Sequence, residues 1–223
     1  ATGSVAGADW LRGYGRTIAG AEIIYHSPYP DIRSALICRA SAGAGTVEWE
    51  TEAVPDGRPA GPATFVWLAG LATGKGGHRF DLEIDGRPAL SFRTSADATR
   101  RAWLETGPEG TALRFETLMV DQFDELFGFM RLEVPAALLR PGRPLRLRVQ
   151  GEEAGSNDWF MVFRDDLRRE VWARGEQALV RRDGRLFQVV RVEASRLGPP
   201  GPAVVTLGAE KVRCELATGY NAL

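Results

Sequence analysis

Two short stretches carry the residue types from which a binding site can be built. Residues 26–33 (HSPYPDIR) bring together His26, Tyr29, Asp31 and Arg33. Two prolines, a serine and an aspartate there break regular structure and make the stretch a loop. Residues 73–78 (TGKGGH) set Lys75 and His78 beside a glycine-rich turn. Such mixtures suit sugar recognition. An aromatic plane covers the apolar face of a pyranose, and Arg, Asp and His meet its hydroxyls. Trp103 lies in a run of mixed polarity over 94–110 and is the tryptophan expected to be exposed, so it joins the candidates. The competing account of these loops is packing: His26 and Tyr29 hold their own loop down, and Lys75 is a solvated tip.

Motifs for catalysis are fewer. No GxSxG, HExxH or P-loop occurs, and GYGRTI and GKGGHR each lack the last glycine of GxGxxG. Two histidines leave a Ser-His-Asp triad or a His-rich metal site only what His26 and His78 can supply. Carboxylates are plentiful, and two groups of them stand out: Glu48, Glu50 and Glu52, and Asp121, Asp124 and Glu125. The first group shares one strand face, the second a turn-like stretch, and both read as solvated charge. Cys38 and Cys214 sit in strand-like contexts and read as two buried free thiols. A disulfide between them is the sharper alternative.

The net charge of −1 gives no general attraction to nucleic acid or to an anionic membrane. No apolar run approaches the ~20 residues that span a bilayer as a helix. The small-residue opening ATGSVAGA has the look of a mature or trimmed start.

The elements that must position these residues are strands. Residues 46–52 alternate, with Val47, Trp49 and Thr51 on one face and the three glutamates on the other, the mark of a half-buried strand. Residues 63–71 (ATFVWLAGL) are almost continuously apolar and read as a central strand, with Trp67 in the core. Residues 79–84 and 88–93 flank Asp85-Gly86, a strong hairpin signal. Further strands are expected at 22–25, 34–40, 111–120, 127–134, 144–150 and 156–163. The strand at 144–150 keeps its leucines and valine inside and its arginines out. Residues 1–20 read as a lead-in and 165–174 as a charged, helical linker. The segment 165–223 then carries four more short strands and a net charge of +2, against −3 for the rest. Many short strands with Gly/Pro turns predict an all-β antiparallel sandwich over 1–164, followed by a small β segment over 165–223.

The series EIIYHSPYP, VEWETEAVP, ATFVWLAGL, HRFDLEIDG, LEVPAALLRPGRPLRLRVQG and SNDWFMVF resembles the galactose-binding-like jelly-roll modules attached to bacterial glycoside hydrolases. The tail is similar to the small Ig-like domains that follow such modules. The resemblance implies a non-catalytic carbohydrate-binding or accessory module of an extracellular or periplasmic polysaccharide-processing protein. Its partners would be a glycan and a catalytic domain in a longer parent chain. It also implies a place for structural calcium, between acidic groups of the first and last strands, here Glu22 and Asp158. Two other readings stand beside it. One is a glycoside hydrolase or polysaccharide lyase, with Tyr29 or His78 as base and Arg33 neutralising a uronate carboxylate. The other is a structural protein–protein module.

Overall fold

The computed structural model describes residues 10–24, 34–39, 45–58, 60–71, 78–94, 102–120, 126–152, 159–164, 171–196, 200–217 and 219–223. The chain is nearly all β, and it divides into two compact units, Asp9–Leu167 and one holding Arg168–Leu223.

The first unit contains β1 (Trp10–Arg12), β2 (Arg16–Ala19), β3 (Ala21–Ile24), β4 (Ser34–Arg39), β5 (Thr46–Glu50), β6 (Ala63–Leu71) and β7 (Arg79–Ile84). It continues with β8 (Arg87–Arg93), β9 (Ala102–Thr106), β10 (Ala112–Val120), β11 (Leu126–Val134), β12 (Arg146–Gly151) and β13 (Trp159–Phe163). A single 3-10 turn, Ala136–Leu138, precedes β12. One sheet has the order β3-β4-β13-β6-β11-β10-β9, and the other β2-β5-β12-β7-β8. Every pairing within these two orders is antiparallel, while β1 runs parallel to β6.

The period-two pattern explains which side of each strand is covered. Val47 and Trp49 of β5, Phe80, Leu82 and Ile84 of β7, and Leu147 and Val149 of β12 are all buried. Their neighbours point outward. β6 and β11 are buried along most of their length, as central strands must be. The two sheets share one core. Trp49 of one meets Trp67 of the other edge-on at 5.7 Å. Phe92 lies 5.2 Å from Phe160 and 5.9 Å from Trp103, ring centre to ring centre. Aromatic pairs of this kind contribute about 0.5–1.5 kcal/mol each beyond the area they bury.

Three expectations about elements are corrected. Within the expected lead-in, residues 10–20 hold β1 and β2, which pair with β6 and β5. The link between them runs through Gly13, whose N–H donates to Val66 O at 2.7 Å and whose carbonyl accepts from Trp49 Nε1 at 2.7 Å. A Cβ on Gly13 would lie 2.4 Å from the Trp67 ring. Second, part of 94–110 is the strand β9. Trp103, expected to be exposed, is only 5% exposed, stacked between Phe92 and Phe115. Its register partner Phe115 holds it on the core side, and Leu104 takes the solvent side. Third, Val171–Arg174 opens a strand rather than closing a helix, because it pairs with residues 193–196.

The second unit contains β14 (Val171–Arg182), β15 (Arg185–Arg196) and β18 (Gly219–Ala222) in one antiparallel sheet, and β16 (Gly201–Leu207) with β17 (Glu210–Leu216) in another. Val192, Ala194 and Leu216 form its small buried cluster. Toward the turn of the β14–β15 hairpin, apolar side chains stand in solvent, Leu179 and Leu186 most of all. Cys38 is a buried free thiol and Cys214 a half-buried one.

Candidate functional site

The outward residues of the five-stranded sheet form a ladder of opposite charges. Arg16 of β2 grips Glu50 of β5 through two nitrogens at 2.8 and 3.0 Å. Arg146 of β12 donates to Glu48 of β5. Arg148 of β12 holds both oxygens of Glu83 on β7, at 3.0 and 3.1 Å. Basic β2 and β12 thus alternate with acidic β5 and β7. Each exposed pair contributes only ~0–1 kcal/mol, but together they favour one register. The glutamates read as solvated charge are therefore the acidic rungs, with Glu52 bonded to Arg12.

At one end of this ladder the surface opens into a cleft of about 720 Å³. Its described lining carries five arginines, Arg87, Arg140, Arg143, Arg146 and Arg148, and two carboxylates, Glu48 and Asp85. Ile84 and Leu145 are buried beneath it, and Ala137 and half-buried Leu138 supply its apolar surface.

Both walls are fixed by backbone bonds. One wall is the β7–β8 turn. Asp85 and Gly86 take φ of 51° and 76°, the left-handed pair that a tight two-residue hairpin turn requires. The Asp85 carboxylate accepts from Arg146 N at 2.9 Å, and Asp85 N donates to Arg146 O at 2.8 Å. The other wall is residues 135–145. Gly142 N donates to Val54 O at 2.8 Å, Val54 N to Arg143 O at 3.0 Å, and Leu145 N to Thr51 Oγ1 at 3.0 Å. Leu138 and Leu139 pack on the core. The guanidinium groups of Arg140 and Arg143 therefore extend from an anchored segment.

The charges do not cancel. Glu48 is bonded to Arg146, and Asp85 is bonded to the Arg146 backbone. Arg148 is neutralised by Glu83. Arg87, Arg140 and Arg143 are exposed and pair with no carboxylate among the described residues. Asp56 lies against Gly142 but is not part of the described lining. The hydrogen bond and negative charge of Glu48 hold Arg146 above its ordinary value. An arginine group presents donors in a planar fork that fits a carboxylate, a sulfate or a vicinal diol.

Of the residues singled out from sequence, Glu48 is on the described lining of the cleft. His26, Tyr29, Asp31, Arg33 and Lys75 lie outside the described residues, as do Asp121, Asp124, Glu125 and Asp158. Only the backbone of Glu22 is described. Among the described residues no three His, Cys, Asp or Glu side chains cluster as a metal site would need. His78 enters β7, its N–H donating to Thr94 Oγ1 at 2.9 Å and its carbonyl accepting from Thr94 N at 3.0 Å. The cleft is at the far end of β7, on the order of 20 Å away at strand rise. Trp103 is core. The described lining of the cleft is thus supplied mainly by arginines that are not among the sequence candidates. Its signal was the run LLRPGRPLRLR, with Arg140, Arg143, Arg146 and Arg148 in nine positions. Arg87 is distant in sequence and arrives through the pairing of β7 with β12, Ile84 opposite Leu147.

No family model, curated protein or solved structure matches the chain.

Proposed function

We propose that the Asp9–Leu167 unit is a carbohydrate-binding jelly-roll module of a secreted polysaccharide-processing protein, and that the arginine-lined cleft is its binding site. The strand order supports the jelly-roll reading. In one sheet β4 lies beside β13 and then β6 and β11; in the other β5 lies beside β12 and then β7 and β8. Early strands beside late ones, alternating between two sheets, are what winding a long hairpin into a sandwich produces. The two small sheets of the second unit fit an Ig-like spacer beside such a module.

The observation that carries the reading is the cleft. It has the volume of a small-molecule site, a small apolar surface at Ala137 and Leu138, and planar donors on anchored backbone. Glu48 pairs with the Arg146 guanidinium, and the Asp85 carboxylate accepts from the Arg146 backbone N–H within the turn. That use fits a site that holds a ligand better than one that cleaves it.

A glycan array run beside a polysaccharide-depolymerisation screen on the full chain tests the proposal. Binding without product is expected. Product release, or no glycan bound at all, would overturn it.

A further inference from the structure

We infer that the cleft selects an anionic polysaccharide, one whose carboxylate or sulfate groups meet Arg87, Arg140 and Arg143. The inference rests on the reading of the cleft as a glycan site and adds the ligand's charge. It follows from the local balance. Of the five arginines on the lining, Arg146 and Arg148 are engaged by Glu48 and Glu83. The other three have no carboxylate partner among the described residues. Glu48 is taken by the Arg146 guanidinium, and Asp85, whose carboxylate accepts from the Arg146 backbone N–H, sets one negative charge on the described lining against these three positive ones. Three like charges held around one concavity repel each other, and a bound anion relieves that repulsion. A neutral sugar offers hydroxyls to the same forks but leaves the repulsion in place.

The arrangement suits a repeating chain better than a lone ion. Arg87 stands on the β7–β8 turn, and Arg140 and Arg143 on the opposite wall. A polymer with acidic groups along its length can reach both walls at once and gain from each contact. Exposed Ala137 and half-buried Leu138 give apolar surface on the lining for the ring faces.

The test is isothermal titration of the full chain with polygalacturonate, dextran sulfate, neutral dextran and inorganic polyphosphate at low salt. One of the two anionic polysaccharides is expected to bind at least tenfold more tightly than neutral dextran. The triple variant Arg87→Ala, Arg140→Ala, Arg143→Ala should lose at least tenfold in that affinity. The triple variant Arg181→Ala, Arg182→Ala, Arg185→Ala on the β14–β15 hairpin removes the same net charge and should stay within twofold. Lysine at the three cleft positions should restore part of the loss, since charge returns without the planar fork. In the unaltered protein, the bound polysaccharide should also slow phenylglyoxal modification of Arg87, Arg140 and Arg143, a readout that needs no variant to fold. Dextran binding as tightly as either polyanion would overturn the inference and leave the glycan reading standing. Polyphosphate binding as tightly as the polysaccharides, with the same loss in the cleft variant, would keep the anion site and overturn the carbohydrate reading. Equal loss in both triple variants would overturn the assignment to this cleft.

Discussion

Arg146 is the residue on which the site turns. Its guanidinium engages Glu48 and its peptide is clasped by Asp85 on both sides. Glu48 is thereby neutralised and Asp85 is held in the turn, so the described lining sets one carboxylate charge against three other arginines. This distinction was beyond the sequence. Alternation along 144–150 shows that Arg146 and Arg148 point outward, but not which arginine will find an acid on the next strand. A second residue illustrates burial acting on chemistry. Cys38 is fully buried, and its Sγ donates to Gly45 O at 2.9 Å. Burial, opposed by a weaker hydrogen bond from the Gly151 backbone, pushes its thiol from 9.0 up to about 12. The folded state thus favours the neutral thiol. Its contribution to stability is complete below pH 9 and is lost as pH climbs through about 12, because the unfolded chain ionises first. Urea unfolding at pH 8 and pH 10.5 should show a drop in stability that is smaller in Cys38→Ala. An equal drop in the two proteins would contradict the assignment. At pH 8 iodoacetamide should label Cys214 well before Cys38 in the folded chain.

Strands with a strong pattern of their own are the ones that sequence places well. β5, β6, β7, β8, β11 and β12 each show alternation, an apolar run or a turn signal, and each lies within a residue or two of its expected bounds. β1, β2 and β9 show little pattern and exist because a partner strand is already there. Trp103 is the instructive case: it lies between Ala102 and Leu104 in a run of mixed polarity, and its burial is decided by Phe92 and Phe115 from other strands. The glycines at 13 and 15, which resemble part of a nucleotide-binding signature, turn out to serve packing. Gly13 lets the chain pass over Trp67 while accepting the Trp49 indole N–H. Gly13→Ala puts a methyl group 2.4 Å from that ring, where something must move. Overpacking of this kind costs about 1–3 kcal/mol, and the urea midpoint should fall accordingly. A midpoint unchanged from the parent protein would show that the β1–β2 crossing is looser than described.

For the whole molecule, the totals conceal the feature that matters. A chain with 28 basic and 29 acidic residues has no net field to attract a polyanion, and composition argued against such a partner. Folding redistributes those charges. It spends most acids of the outer sheet face on ladder pairs and leaves a local surplus of arginine at one end. Attraction to an anionic chain is then a property of one cleft and not of the protein at large. Such an attraction carries a signature, because each contact to a polyanion releases bound counterions. The most direct measurement is the affinity for the preferred anionic polysaccharide over a range of sodium chloride concentrations, in the full chain and in the Arg87→Ala, Arg140→Ala, Arg143→Ala variant. With roughly 0.7 counterion released per contact, three contacts give a log–log slope of about −2. The account predicts that slope in the parent protein and a slope near zero in the variant. A flat dependence in the parent, or the same slope in both, would contradict it.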